Sequence, residues 1–276
     1  MQIGKYYLDL KQKTYIMGIL NVTQDSFSDG GRYHALDAAL FRVEEMLAQG
    51  CDIVDVGGES TRPGYTEVSV EQEIARVAPV IEAMKERFDV PVSLDTYKYQ
   101  VAEAGIQAGA DLINDIWGLT YDEGQMAKVI AETGAACCLM HNRKEAVYRD
   151  FLVDVMRDLQ NSICIARKAG IANDKIILDP GIGFAKSYEQ NMEILANLRE
   201  FKWLEYPLLL GTSRKSVIGL TLDLPADQRE EGTLVTTVLA VQAGWDFVRV
   251  HDIEANARAI KMAEAIAERQ VSQTLK

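Results

Sequence analysis

Polar residues collect immediately after short apolar runs in this sequence, and their types divide into two chemistries. Asn21, Asp95, Asn114 and Asp179 supply amides and carboxylates with no adjacent cation. Groups of that kind suit a ligand that presents several N–H donors, such as a guanidine-like heterocycle. Arg62, Lys215, Arg249 and His251 supply positive charge, which suits a phosphate or carboxylate anion. Residues 212–216 precede apolar Val217 and Ile218, so they read as the opening of a helix whose N–H groups add to an anion site. Taken alone, Arg214 and Lys215 fit a solvated charged turn equally well. An Asp or Asn after a strand also caps helices or closes Asx-turns. That reading suits Asp55 and Asp115, which are set aside from the site.

Side chains scattered over 230 positions converge only if the chain repeats one unit. The clearest unit starts at Ile176, where three apolar residues run into Asp179 and Pro180 and Gly181 stop the run. A continuous apolar run suits a strand buried on both faces, as parallel strands are. Equivalent strands are expected over 15–21, 52–56, 90–95, 110–115, 135–140, 207–211 and 247–250. Helices fill the intervals. Asp37 is the expected N-cap of one ending near Gly50, and Ser69 opens the next. Others are expected over 98–108, 121–133, 150–169, 187–201 and 231–243, with a last one from about residue 253. Strands alternating with helices imply parallel pairing and right-handed crossovers. Eight units in roughly 250 residues match an α/β fold of the (β/α)₈ TIM-barrel kind, whose ligands bind at the carboxyl ends of the strands. An open doubly wound sheet is the alternative, but its glycine fingerprint after the first strand is absent. No linker-like composition shift divides the chain, so residues 1–276 read as one domain.

Composition narrows the partners. The chain has 276 residues, and its 48% hydrophobic and 25% charged content is that of an ordinary globular protein. A formal net charge of -12 argues against nucleic acid, though local cations still permit an anionic substrate. No apolar run reaches the roughly 18 residues of a membrane span. Cys51, Cys137, Cys138 and Cys164 form no C-x-x-C pair and read as buried free thiols of a cytoplasmic protein. No zinc spacing of the H-E-x-x-H type occurs. His34 reads as a surface loop residue. Gly181 and Gly183 begin a dinucleotide-like pattern that Pro180 and Lys186 spoil, and Ser60 and Ser213 lack a nucleophile-elbow context.

With these positions marked, the chain resembles the dihydropteroate synthase family of folate biosynthesis over nearly its whole length. The resemblance is carried by 18–23 with 25–31, 55–64, 93–96, 113–115, 138–141, 178–184, 211–216 and 249–252, in that order. It implies a C–N-forming transferase that condenses 6-hydroxymethyl-7,8-dihydropterin diphosphate with p-aminobenzoate, releasing diphosphate. By the same resemblance, Asp95, Asn114, Asp179 and Lys215 hold the pterin, with Met140 and Phe184 against it. Asn21, Thr61, Arg62, Arg249 and His251 hold the diphosphate, Asn21 also through Mg²⁺. Phe27, Thr61, Arg62, Pro63, Lys215 and Ser216 meet p-aminobenzoate, a subsite that sulfonamides target, and Asp29 and Arg62 let two loops close together. Asp95, Lys215, Asn21 and Arg249 are the expected catalytic set, and a homodimer is implied. Gln24 stands where such proteins usually carry proline, which loosens φ in the first loop.

The physical logic agrees. A carboxylate such as Asp179 accepts adjacent ring and amino N–H groups in bidentate fashion. Diphosphate departs readily when cations neutralise its charge. The carbon left behind sits on an electron-rich ring, so a dissociative substitution with a cationic intermediate is expected, with Asp95 beside it. Two rival readings are a pterin-binding methyl-transfer barrel and a paralogue that binds pterin without condensing it. The first has no use for the diphosphate cluster or for Thr61, Arg62 and Pro63; loss of loop residues or of Lys215 and Ser216 would signal the second, and all are present.

Overall fold

The computed structural model describes residues 1–22, 31–59 and 68–274. A hairpin of β1 (Gln2–Ile3) and β2 (Tyr6–Tyr7) precedes eight parallel strands, β3 (Tyr15–Asn21), β4 (Ile53–Gly57), β5 (Val92–Asp95), β6 (Leu112–Asp115), β7 (Ala136–Met140), β8 (Ile176–Asp179), β9 (Leu209–Leu210) and β10 (Phe247–Val250). Pairing runs β8-β7-β6-β5-β4-β3-β10-β9, and a parallel bridge from Leu178 to Leu208 closes the ring. The fold is the expected (β/α)₈ barrel. Its outer layer is α1 (Gly31–Ala48), α2 (Val70–Arg87), α3 (Tyr99–Gln107), α4 (Gln125–Thr133), α5 (Phe151–Ala169), α6 (Tyr188–Ala196), α7 (Ser216–Leu222), α8 (Glu230–Gln242) and α9 (Ile253–Thr274).

Period-two alternation sorts each strand into two environments. Val54, Leu94, Ile113, Leu139, Leu178 and Val248 point outward and pack in one cluster with the helices. Met17, Ile53, Leu112, Cys138, Ile177 and Phe247 point inward and fill the barrel floor, where Ile3 and Leu8 from the hairpin join them. Truncating one such residue, Leu112→Ala for example, should cost roughly 2–5 kcal/mol. One step further along β4, β5, β6, β8 and β10 the inward position turns polar: Asp55, Ser93, Asp95, Asn114, Asp179 and Arg249 stand above the apolar floor. The barrel therefore carries a dry base and a polar mouth.

Several boundaries differ from the sequence reading. Asp37 lies inside α1, because the helix already runs from Gly31, so it is not an N-cap; His34 is in that helix and not in a loop. The helix expected over 187–201 ends at Ala196 and continues as a 3₁₀ segment, Leu198–Leu204. Its start holds: Ser187 and Gln190 form a reciprocal capping box. Helix α4 begins at Gln125, after Asp122 has capped the N–H groups of Gly124 and Met126. Ser69 accepts from the Gln72 N–H at the start of α2, as expected. Cys51, Cys137 and Cys138 are buried, but Cys164 is exposed on α5.

Candidate active site

The strand ends enclose a cavity of about 600 Å³, a size that suits a small heterocyclic ligand. Asp95, Asn114 and Asp179 line it with Met140 and Phe184. Asn21, Lys215, Ser216, Arg249 and His251 also reach it. All ten of these expected site residues share one cavity. Phe27, Asp29, Thr61, Arg62 and Pro63, like Gln24, lie outside the described residues.

The turn after β8 prepares the acidic side of the cavity. Asp179 accepts the Gly181 N–H at 2.7 Å through Oδ1, while its backbone carbonyl accepts the His141 N–H at 2.8 Å. Gly181 has φ +71°, and a Cβ there would lie 2.1 Å from the His141 carbonyl oxygen, so the turn admits only glycine. Lys215 donates to the Ile182 carbonyl at 2.5 Å and lies 4.8 Å from the centroid of the Phe184 ring. A Cβ on Gly211 would sit 3.5 Å from Asp179 Oδ2 and 3.8 Å from Lys215 Nζ. The bare backbone there leaves the carboxylate and the ammonium facing one shared space.

The opposite side is built on Arg249. Its Nε lies 2.6 Å from Asp55 Oδ2 and its Nη2 lies 2.5 Å from Asp95 Oδ2. Asp55 Oδ2 also accepts from Asn114 Nδ2 at 3.2 Å. Asp55 is thus neither a cap nor an Asx-turn. It is fully buried and orients one amide and one guanidinium of the site. Strand parity was the available signal, since Asp55 shares the inward face with Ile53. Asp115 does follow the Asx-turn reading, accepting from the Trp117 and Leu119 N–H groups. Ser213 Oγ lies 2.9 Å from His251 Nδ1, which fixes the imidazole at the cavity rim. Arg214 lines the cavity and is held by Asp252 through two nitrogens.

Low solvation tunes these groups. Burial, reinforced by Asp55 and opposed by Arg249, lifts the Asp95 carboxyl to about 7. Burial also raises Asp179, against the pull of Lys215. Burial lowers Lys215 to about 8, with Asp179 resisting the drop. Burial works to discharge Arg249, yet Asp55 and Asp95 outweigh it and hold the guanidinium above its usual value. The cavity therefore places two easily protonated carboxylates beside two cations in a low-dielectric setting.

A metal would find few protein ligands here. Among the described residues no group of three His, Cys, Asp or Glu side chains could hold one. Asn21 places its side chain at the cavity's edge. One neutral amide oxygen fits a hard cation that arrives on an anionic substrate, because Mg²⁺ keeps most of its shell from water and phosphate.

Comparison with known proteins adds an independent line. The pterin binding enzyme family matches residues 17–251. The chain is 56% identical to a dihydropteroate synthase of Clostridium beijerinckii, covering 98% of this chain and 100% of the relative. It superposes on the crystal structure of a Clostridium difficile dihydropteroate synthase in the presence of pteroic acid with a TM-score of 0.91 and 49% identity, covering 94% and 99% of the two chains. A Yersinia pestis dihydropteroate synthase in a sulfonamide drug complex gives 0.89 and 42%, over 98% and 99%.

Proposed function

The chain belongs to the pterin-binding enzymes and, within them, to the dihydropteroate synthases, and from that premise we propose how its barrel mouth condenses 6-hydroxymethyl-7,8-dihydropterin diphosphate with p-aminobenzoate. The observation that carries the reading is the meeting of Asp179, Lys215 and Arg249 around Gly211, beside Asn114 and Asp95. Asp179 Oδ2 accepts the adjacent N–H donors of the pterin edge, and Lys215 and Asn114 bond the ring's remaining polar atoms. Met140 and Phe184 flank the ring. Arg249, His251 and Asn21 hold the diphosphate. Ser216 meets the carboxylate of p-aminobenzoate, with Phe27, Thr61, Arg62 and Pro63 completing that subsite and Asp29 joining Arg62 across the closed loops.

The reaction is a substitution at the pterin methylene carbon. The C–O bond breaks with its electron pair leaving on diphosphate, and the electron-rich ring delocalises the positive charge. Ionised Asp95 stabilises that charge electrostatically. The aniline nitrogen then forms the C–N bond and one proton is released. Exclusion of water prevents capture of the cation before the amine attacks. Asn21 would hold a Mg²⁺ that arrives with the diphosphate, and such an ion would supply charge neutralisation to the leaving group. A sulfonamide competes for the p-aminobenzoate subsite, a reading the drug complex of the Yersinia pestis relative supports.

Two coarser features extend the proposal. Leu220 on α7, Val235 on α8 and Met262 on α9 are apolar side chains at 67%, 61% and 63% exposure, and they are the residues a homodimer would cover. Among the described residues no helix is long and apolar enough to cross a membrane. The buried thiols suit a cytoplasmic setting.

The deciding experiment incubates pure protein with the pterin diphosphate, p-aminobenzoate and Mg²⁺ and separates pteroate chromatographically. Product formation that is lost in Asp179→Ala together with pterin binding supports the assignment. Tight pterin binding without product would favour the binding-only alternative.

A further inference from the structure

Lys186 serves none of the roles assigned so far, and it does not line the cavity, yet its ammonium is the most heavily engaged group behind it. Its Nζ lies 2.8 Å from His141 Nδ1, 2.9 Å from the Gly181 carbonyl and 2.9 Å from the Phe184 carbonyl. Both carbonyls belong to the turn after β8, which carries Asp179 at its start and Phe184 at its end. The third carbonyl of that turn, Ile182, receives Lys215. Two lysines therefore grip one turn from opposite sides, Lys215 from the cavity and Lys186 from behind.

The grip is anchored in the scaffold through His141. That imidazole is buried, and its Nε2 lies 3.1 Å from Asp158 Oδ2 on α5. Asp158 in turn accepts Arg143 Nε at 2.6 Å. With an ammonium donating to Nδ1, the tautomer follows: Nε2 carries the proton and donates to Asp158. Burial lowers His141 to about 4, so the ring is neutral and able to accept. Tyr148 adds a brace, donating to the Ala185 carbonyl at 2.8 Å, where the backbone is held at φ +48°. A left-handed alanine needs such restraint on both sides.

We propose that Lys186 is a positioning residue for the pterin subsite, linking the Gly181–Phe184 turn to α5 through His141 and Asp158 so that Asp179, Phe184 and Lys215 keep the geometry that receives the ring. The proposal rests on the pterin occupying this cavity. Its chemistry is that of a buried amine strut. One amine satisfies two carbonyls that no β-ladder pairs, and Asp179 opposes the burial that lowers Lys186 to about 7. The sequence hid this role, because Lys186 is seven residues from Asp179 and 45 from His141.

The test compares Lys186→Met, Lys186→Arg and wild type by steady-state kinetics and by direct titration with a pterin lacking diphosphate. Lys186→Met should raise the pterin-diphosphate KM at least tenfold and weaken pterin binding in parallel, with the p-aminobenzoate KM within twofold of wild type. Lys186→Arg should recover most of the loss. Equal losses for both substrates, an unchanged pterin KM, or an arginine variant no better than methionine would overturn the proposal. If Lys186→Met fails to fold, His141→Gln decides by the same KM ratio, with a smaller shift expected because both carbonyl contacts remain. A wild type that binds no pterin would instead overturn the functional reading on which the proposal stands.

Discussion

Arg249 on the last strand reaches Asp95 on the third strand of the barrel, 2.5 Å from nitrogen to oxygen, across the floor of the mouth. The same guanidinium also holds Asp55 on the strand between β3 and β5. One cation thus joins the carboxylate proposed to stabilise charge on the substrate with the one that orients the site. Two variants separate those duties.

Asp95→Asn keeps the shape and removes the charge. Turnover should fall by about 10²–10³, the usual loss for one preorganised electrostatic group. Pterin affinity should change by less than about threefold, since Asp179 retains the donor edge. Single-turnover kinetics with parallel pterin titration reads both quantities. Matching losses would reduce Asp95 to a binding residue.

Asp55→Ala should damage the fold first. It strips a buried acceptor from both Arg249 and Asn114. Breaking a buried ion pair on one side costs about 3–5 kcal/mol. Urea unfolding should register a loss of that order. A drop under about 1 kcal/mol would mean that Asp95 alone satisfies the guanidinium.

The pH profile should be bell-shaped. Asp95 acts ionised, so kcat/KM rises as pH climbs through about 7. Lys215 acts protonated, so activity falls above about 8. Both limbs report the coupled cluster, not isolated residues. Stability runs the other way for Asp95. Between its ordinary value of 3.8 and about 7 the native state holds a proton that the unfolded chain has released. Asp95 therefore lowers stability as pH rises through that window. The stability of Asp95→Asn relative to wild type should improve from pH 4 to pH 7, as thermal melts across the range would show.

Two glycine substitutions should part folding from binding. Gly181→Ala forces a methyl to 2.1 Å from the His141 carbonyl at a positive φ, so the protein should lose at least about 2 kcal/mol of stability. Gly211→Ala meets only ordinary contacts, at 3.5 Å or more, so its melting temperature should hold. Its methyl, however, enters the space between Asp179 and Lys215, and pterin affinity should fall about tenfold, or about 1.4 kcal/mol. Calorimetric melts and pterin titration distinguish the two.

Metal dependence should track the diphosphate and not the pterin. EDTA should abolish turnover and leave binding of a diphosphate-free pterin intact. Asn21→Ala should raise the Mg²⁺ concentration needed for half-maximal rate several-fold. An unchanged requirement would remove Asn21 from the metal's shell.

Much of this was legible in one dimension. Buried strands announce themselves as apolar runs, and glycine or proline ends them, so the 176–181 segment located both a strand and a site residue. Position at the carboxyl end of a strand is equally local, and it grouped Asp95, Asn114 and Asp179, which the barrel brings into one cavity. The hairpin at Gln2–Tyr7 escaped because strands of two residues show no period. The 3₁₀ segment Leu198–Leu204 escaped because its apolar spacing also fits an α-helix.

By itself, then, the sequence determined the alternation of elements, the polar ring at the strand ends and the membership of the family, since each depends on residue type and near-neighbour order. The tertiary structure alone decided the pairings. Asp55 looks like a cap until the barrel closes and brings Arg249, 194 residues away, to its oxygen. Lys186 looks like a spoiled glycine motif until His141 arrives beneath it. Ion pairs of this reach depend on which strands become neighbours, and burial then sets their charge by removing water, a quantity no local pattern encodes.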